Sequence, residues 1–266
     1  MSAPATTMDL ATFQAKMKQD GWVVFDSWID PALVGRLLAD MERAYGVCRA
    51  LQLANGIAAN TEGTLHHLIG LGDAFLECLD RLEPLLPHLE SYFRGKFILN
   101  SFGGNILKRS ASYASAVHRD IRTYSGDLPL LLNTLVMLDD FTPDNGATFL
   151  MTGSHLDCPE KPSDEAFYRR AERAVGRAGS LLMFDSNLWH AAGVNTTAAP
   201  RRSLTPMFCK PFIKQQCDYP RVLGYDRMET LTAHQRQILG YYARVPASLE
   251  EWYQPPERRM YRPGQG

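Results

Sequence analysis

His118 stands two residues before Asp120 in "AVHRDIRTYSGD", and His190 follows seventy residues after Asp120, in "DSNLWHAAGVNTTAAPRRS". Side chains two apart on an extended segment share a face, so His118 and Asp120 can bite one metal ion together. With His190 they make the two-imidazole, one-carboxylate donor set that leaves positions open on Fe(II), enough to take an oxo acid and dioxygen at once. Arg201, eleven residues after His190, supplies a permanent planar cation able to hold the far carboxylate of such an acid. Taken singly, each of these residues has an ordinary structural reading; the combination and its order carry the chemistry.

Other polar residues compete for attention. His155 and Asp157 form a second His-x-Asp pair in "GSHLDC", but it follows Gly153-Ser154 in loop-like sequence without strand character. Asp139 and Asp140 lead into a turn, where carboxylates commonly serve turn chemistry. His66-His67 lie in an apolar stretch read as helical, which favours packing or surface roles over a pocket role. Arg122 and Tyr124 follow the metal pair closely enough to reach a substrate. Arg169, Arg170, Arg173 and Arg177 read as a solvated helical face.

Positioning such a set needs a rigid frame. "TMDLATFQAKMKQDG" repeats Leu10, Phe13 and Met17 at helical spacing, with Thr7 or Asp9 to cap and Gly21 to stop it. "WVVFDSW" reads as a strand, and Asp30-Pro31 opens a second helix bearing Leu33, Leu37, Leu38 and Met41. Residues 64–95 predict short helices broken by Gly70, Gly72, Pro84 and Pro87. After residue 96 the pattern changes to short apolar runs between turn signals: "KFILNSFGGNILK", "PLLLNTLVMLDD", "GATFLM", "GSLLMFD" and "RRSLTPMFCKPF". That is the signature of an antiparallel sandwich or barrel. "TPDNGAT" reads as a hairpin connection, and 162–179 as a helix around Phe167. Trp252 and Tyr253 are expected to close the core near the C-terminus.

Composition narrows the partners. With 28 basic and 29 acidic residues no global field draws in nucleic acid or an anionic membrane. The five cysteines are scattered and never paired as CxxC, which predicts free thiols and disfavours a disulfide framework or a structural zinc. The opening residues lack a basic start and apolar core, and no run approaches membrane-spanning length. A cytoplasmic protein acting on a small molecule is the expectation. The sequence leaves the oligomeric state open.

His118-x-Asp120, the run "LDDFTPDNGATFLMTGSH" and "WHAAGVNTTAAPRRS" together resemble the phytanoyl-CoA dioxygenase-like branch of the Fe(II)/2-oxoglutarate-dependent oxygenases. The resemblance implies a mainly β fold with flanking helices, built on a double-stranded β-helix (jelly roll, cupin-like) core. It would be one domain over 1–266, with helical wrapping at 1–95, the core at about 96–213 and an extension at 214–266. It also implies Fe(II) on His118, Asp120 and His190, with 2-oxoglutarate and O2 as cosubstrates. Arg201 would pair with the 2-oxoglutarate carboxylate; Arg202 is the adjacent alternative, and strand alternation lets only one face the pocket. Asn105 and Asn133 fall where relatives place polar groups against the cosubstrate. Asn133 has independent support, since a buried amide inside "LLLNTLVML" must find partners or cost about 1–3 kcal/mol. Ala192 departs from the pattern, because many relatives carry a hydroxyl two residues after the distal histidine. Retention of Asp120 favours hydroxylation over halogenation, with release of succinate and CO2. The alternative class is a jelly-roll protein that binds a metal or small ligand without oxidative turnover, and Arg201 argues against it.

Overall fold

The computed structural model describes residues 8–110 and 115–265, and among them nine strands make two antiparallel sheets. The chain enters through α1 (Leu10–Gln19), capped by Asp9, which accepts from Thr12 N at 2.9 Å. Phe13 and Met17 are its buried face. Strand β1 (Trp22–Phe25) follows, then α2 (Pro31–Ala54), whose cap Asp30 accepts from Leu33 N at 2.9 Å. Proline fits its first turn, where no intrahelical donor is needed.

The predicted helices over 64–95 form only in part. Residues 64–65 make a short strand β2 (Thr64–Leu65), and helices resume at α3 (Asp73–Asp80) and α4 (Leu86–Phe93). His67 at φ +56° and Gly70 at φ +96° adopt left-handed backbone, which no helix can pass through. His66-His67 are therefore in a connection, not on a helix.

The remaining strands are β3 (Ile98–Leu107), β4 (Leu131–Met137), β5 (Phe149–Met151), β6 (Ala171–Arg173), β7 (Leu181–Asp185), β8 (His190–Ala191) and β9 (Arg201–Cys209). The larger sheet runs β1-β7-β4-β9-β3-β2 and the smaller one β6-β5-β8. Both ends of the larger sheet thus come from the segment expected to be helical wrapping. Strand material therefore extends beyond 96–213, with Val23, Phe25 and Leu65 buried in the core.

"TPDNGAT" has the predicted turn chemistry, with Thr142 N donating to Asn145 Oδ1 at 2.9 Å and Gly146 at φ +85°. It is not a hairpin, however: β4 already has β7 and β9 on its two edges, so the chain crosses to the other sheet to form β5. After α5 (Ser154–Asp157), the helix predicted over 162–179 is shorter than expected. It ends as α6 (Asp164–Arg170), because Ala171–Arg173 pair with β5. Phe167 is fully buried as its anchor.

Helices α7 (Tyr219–Leu223) and α8 (Ala233–Ile238) add Tyr219 and Ile238 to the main core. Trp252 and Tyr253 do not close that core; they are 60% and 77% exposed. All five cysteines are free, and no helix of the described residues is long and apolar enough to cross a membrane.

Candidate metal and cosubstrate site

His118 lies outside the named strands, yet it is held as firmly as a strand residue. Its N–H donates to His190 O at 3.0 Å and its carbonyl accepts from His190 N at 2.9 Å, a two-residue antiparallel bridge. Residues directly opposite in such a bridge put their side chains on one face. The two imidazoles accordingly sit with centroids 4.2 Å apart. Asp120 completes the set, with Oδ1 3.6 Å from His118 Nε2 and Oδ2 3.6 Å from His190 Nε2.

Each ring is also oriented from behind. His118 Nδ1 lies 2.8 Å from Ala116 O and His190 Nδ1 3.0 Å from Leu188 O. A carbonyl only accepts, so Nδ1 carries the proton and the Nε2 lone pair faces the centre, the usual arrangement behind a metal-bound histidine. Burial, and then the neighbouring His118, push the His190 pKa below its ordinary value against the pull of Asp120. The shift favours the neutral ring, the form that can ligate. The ligand atoms of His118, Asp120 and His190 all lie within 4.8 Å of one another, the one such group found among the described residues.

The three donors open into a pocket of about 380 Å³ that also holds Asn105, Asn133, Arg201 and Ala192. Arg201 is 3% exposed, lies 4.2 Å from the Phe141 ring centroid, and donates to Gly146 O. Glycine is required at 146 because a Cβ there would lie 2.5 Å from Gly193 O. Arg202 points the other way and is clamped by Asp139 at 2.6 and 2.9 Å, so Asp139 is structural. Asp140 is structural too, accepting from Ala178 N at 2.8 Å.

Asn105 lines the pocket without a side-chain partner among the described residues and pairs across the strands with Ser203. Ser203 follows Arg201 by two on β9 and buries an Oγ that has no partner among them either. These uncommitted polar groups beside a buried arginine fit an acidic, oxygen-rich cosubstrate, and the donor set fits Fe(II). Asn133 also lines the pocket, but its Nδ2 donates to Asp120 Oδ2 at 2.8 Å. Arg122 borders the adjoining cavity beside His118 and Asp120. The Tyr124 hydroxyl is turned to the carbonyls of His155 and Leu156, at 3.1 and 3.3 Å.

The buried hydroxyl of Ser203 had no signal in the sequence beyond its even spacing from Arg201. Sequence reasoning undervalued His66 and His67, which line the pocket with Ser101, Thr205 and Gln216. His67 escapes strand alternation through its left-handed backbone, which no residue pattern announces.

Two histidines and one carboxylate with an arginine sharing their pocket are the donor types that a non-haem Fe(II) oxygenase of the 2-oxo-acid-dependent class needs. Comparison with known proteins agrees: residues 17–203 match the phytanoyl-CoA dioxygenase (PhyH) family. The uncharacterized protein Rv1501 of Mycobacterium tuberculosis is 40% identical over 194 residues, 72% of this chain and 68% of that one. Dioxygenase cdmA of Talaromyces verruculosus is 26% identical over 256 residues, covering 85% and 80%. Among solved structures, the non-haem α-ketoglutarate-dependent epimerase SnoN from nogalamycin biosynthesis superposes with a TM-score of 0.55 at 20% identity, covering 76% of this chain and 82% of SnoN. The chain belongs to the phytanoyl-CoA dioxygenase family. With that membership come Fe(II), 2-oxoglutarate and O2 as cofactor and cosubstrates, and the geometry of His118, Asp120 and His190 is compatible with them.

Proposed function

We propose that this oxygenase hydroxylates a small-molecule metabolite, converting 2-oxoglutarate to succinate and CO2. The observation that carries the reading is the convergence of the triad and Arg201 on one pocket. Iron with 2-oxoglutarate and O2 supplies the oxidising power that removes a substrate hydrogen. The protein's part is to hold, orient and shield. His118, Asp120 and His190 hold the iron. Arg201 binds the distal carboxylate of 2-oxoglutarate, and Asn105 donates to its oxygens in place of the hydroxyl that Ala192 lacks. Phe184 packs edge-on against the His190 ring at 4.8 Å and keeps water from that side. Asp120 fills the position that a halide would need, so hydroxylation is favoured over halogenation.

The substrate then meets His66, His67, Ser101, Thr205 and Gln216, a hydrogen-bonding wall suited to an oxygen-bearing molecule. Left-handed backbone at a non-glycine residue costs about 1–3 kcal/mol and is retained where a site needs the side chain placed. His67 fits that pattern. Arg122 would meet the outer part of the substrate, whereas Tyr124 secures the segment behind it. We read the two sheets as a jelly roll and the chain as one catalytic domain, and its unpaired thiols suit the cytoplasm.

The test is an anaerobic titration of metal-free protein with Fe(II) and then 2-oxoglutarate, followed by aerobic turnover with candidate metabolites. A metal-to-oxo-acid absorption band, succinate release and a product heavier by one oxygen are expected. A product with inverted stereochemistry and no added oxygen would replace hydroxylation by epimerisation. Absence of the band in the parent protein would remove the oxygenase reading.

A further inference from the structure

Asp120 depends on side-chain and single backbone contacts for its placement, since its segment (residues 118–125) belongs to no strand and its side chain is 36% exposed. Two contacts hold it, one from β4 and one from the turn that follows β7. Ile121 N donates to Ser186 O at 3.4 Å, and Asn133 Nδ2 donates to Asp120 Oδ2 at 2.8 Å. Asn133 is itself oriented: it is 4% exposed on β4, and Ser186 Oγ donates to its Oδ1 at 3.3 Å. A carboxylate can only accept, and a hydroxyl facing an amide oxygen must donate, so the two contacts fix which way the amide points.

We propose that Asn133 is a positioning residue for the metal-binding carboxylate, reached through the relay Ser186–Asn133–Asp120. Its N–H occupies one carboxylate oxygen and leaves the other to the metal. Asp120 would then offer a bound metal a single oxygen, which would keep free the positions that a two-point oxo acid and a third ligand require. Asn133 thus acts on the metal through Asp120, and 2-oxoglutarate feels it only secondarily.

The inference rests on the triad being the metal centre of the proposed oxygenase, and it is tested with Co(II) alone. Metal-free parent, Asn133→Leu and Ser186→Ala proteins are titrated with Co(II) by calorimetry and visible absorption. Asn133→Leu should bind Co(II) about 10–100-fold more weakly, as loss of an outer partner does, with changed band intensities as Asp120 turns both oxygens inward. Ser186→Ala should move in the same direction by less, and it keeps the test alive if Asn133→Leu does not fold. In an Asp120→Ala background, adding Asn133→Leu should cause no further loss. 2-Oxoglutarate affinity at saturating metal should stay within about twofold. Unchanged Co(II) affinity in Asn133→Leu, or weakened 2-oxoglutarate binding with metal affinity intact, overturns the proposal. If parent protein binds Co(II) but never 2-oxoglutarate, the oxygenase reading falls while the Asn133 measurement still stands or fails by itself.

Discussion

Two His-x-Asp pairs occupy this chain, and only one converges. His118 lies in extended backbone bridged to His190, so its ring and the Asp120 carboxylate turn to one side and meet a third donor. His155 and Asp157 lie on α5, where residues two apart point about 200° from each other. Asp157 consequently pairs with Arg170 at 3.2 Å, while the His155 ring is buried with no hydrogen-bond partner for either nitrogen among the described residues. Identical residue types at identical spacing give a convergent donor set in one place and a packed ring in the other. Backbone conformation and the presence of a facing strand, β8, decide between them.

The contrast can be broken most severely at Asp120. Asp120→Ala should abolish the iron and oxo-acid absorption band and weaken Fe(II) binding by more than the roughly 10–100-fold that loss of an outer partner causes. His155→Leu should leave the band in place. A band lost in the second variant and kept in the first would exchange the roles of the two pairs.

Arg201 comes next. Removing one partner of a buried charge pair costs about 2–5 kcal/mol, so Arg201→Ala should raise the 2-oxoglutarate Kd by roughly 30-fold or more at unchanged Fe(II) affinity. Arg202→Ala, by contrast, should leave cosubstrate binding alone. Calorimetric titration of both variants separates the two neighbours.

The packed pair is probed through stability. Gly21 adopts φ +81° and a Cβ there would lie 2.5 Å from His155 Nδ1 and 2.9 Å from Leu188 Cδ1. Gly21→Ala should destabilise the fold by about 1–3 kcal/mol, read as a lower urea midpoint at constant slope. An unchanged midpoint would show that the ring is not wedged there. Smallest of all, Asp157→Ala removes an exposed ion pair with Arg170 and should cost less than about 1 kcal/mol, with metal binding intact.

Much of the frame was legible because local signals were strong. Asp9, one of the two caps offered for the first helix (the other, Thr7, lies outside the described residues), and Asp30 cap their helices, and the apolar runs after residue 96 became strands. The failures share one cause. The run over 64–72 was apolar enough for a helix until left-handed backbone at His67 and Gly70 broke it, and "TPDNGAT" looked like a hairpin because local turn chemistry does not say which strands are already paired.

The sequence by itself determined the donor types, their order along the chain and the arginine that follows, since residue chemistry and spacing are local properties. Tertiary structure alone decided that His118 faces His190 across a bridge, that Arg201 faces inward while Arg202 meets Asp139, and that Asn133 grips Asp120. It also brought His66 and His67 into the pocket. Those outcomes depend on register and on sheet neighbours far apart in the chain, and a shift of one residue in register would turn every side chain on a strand to its other face.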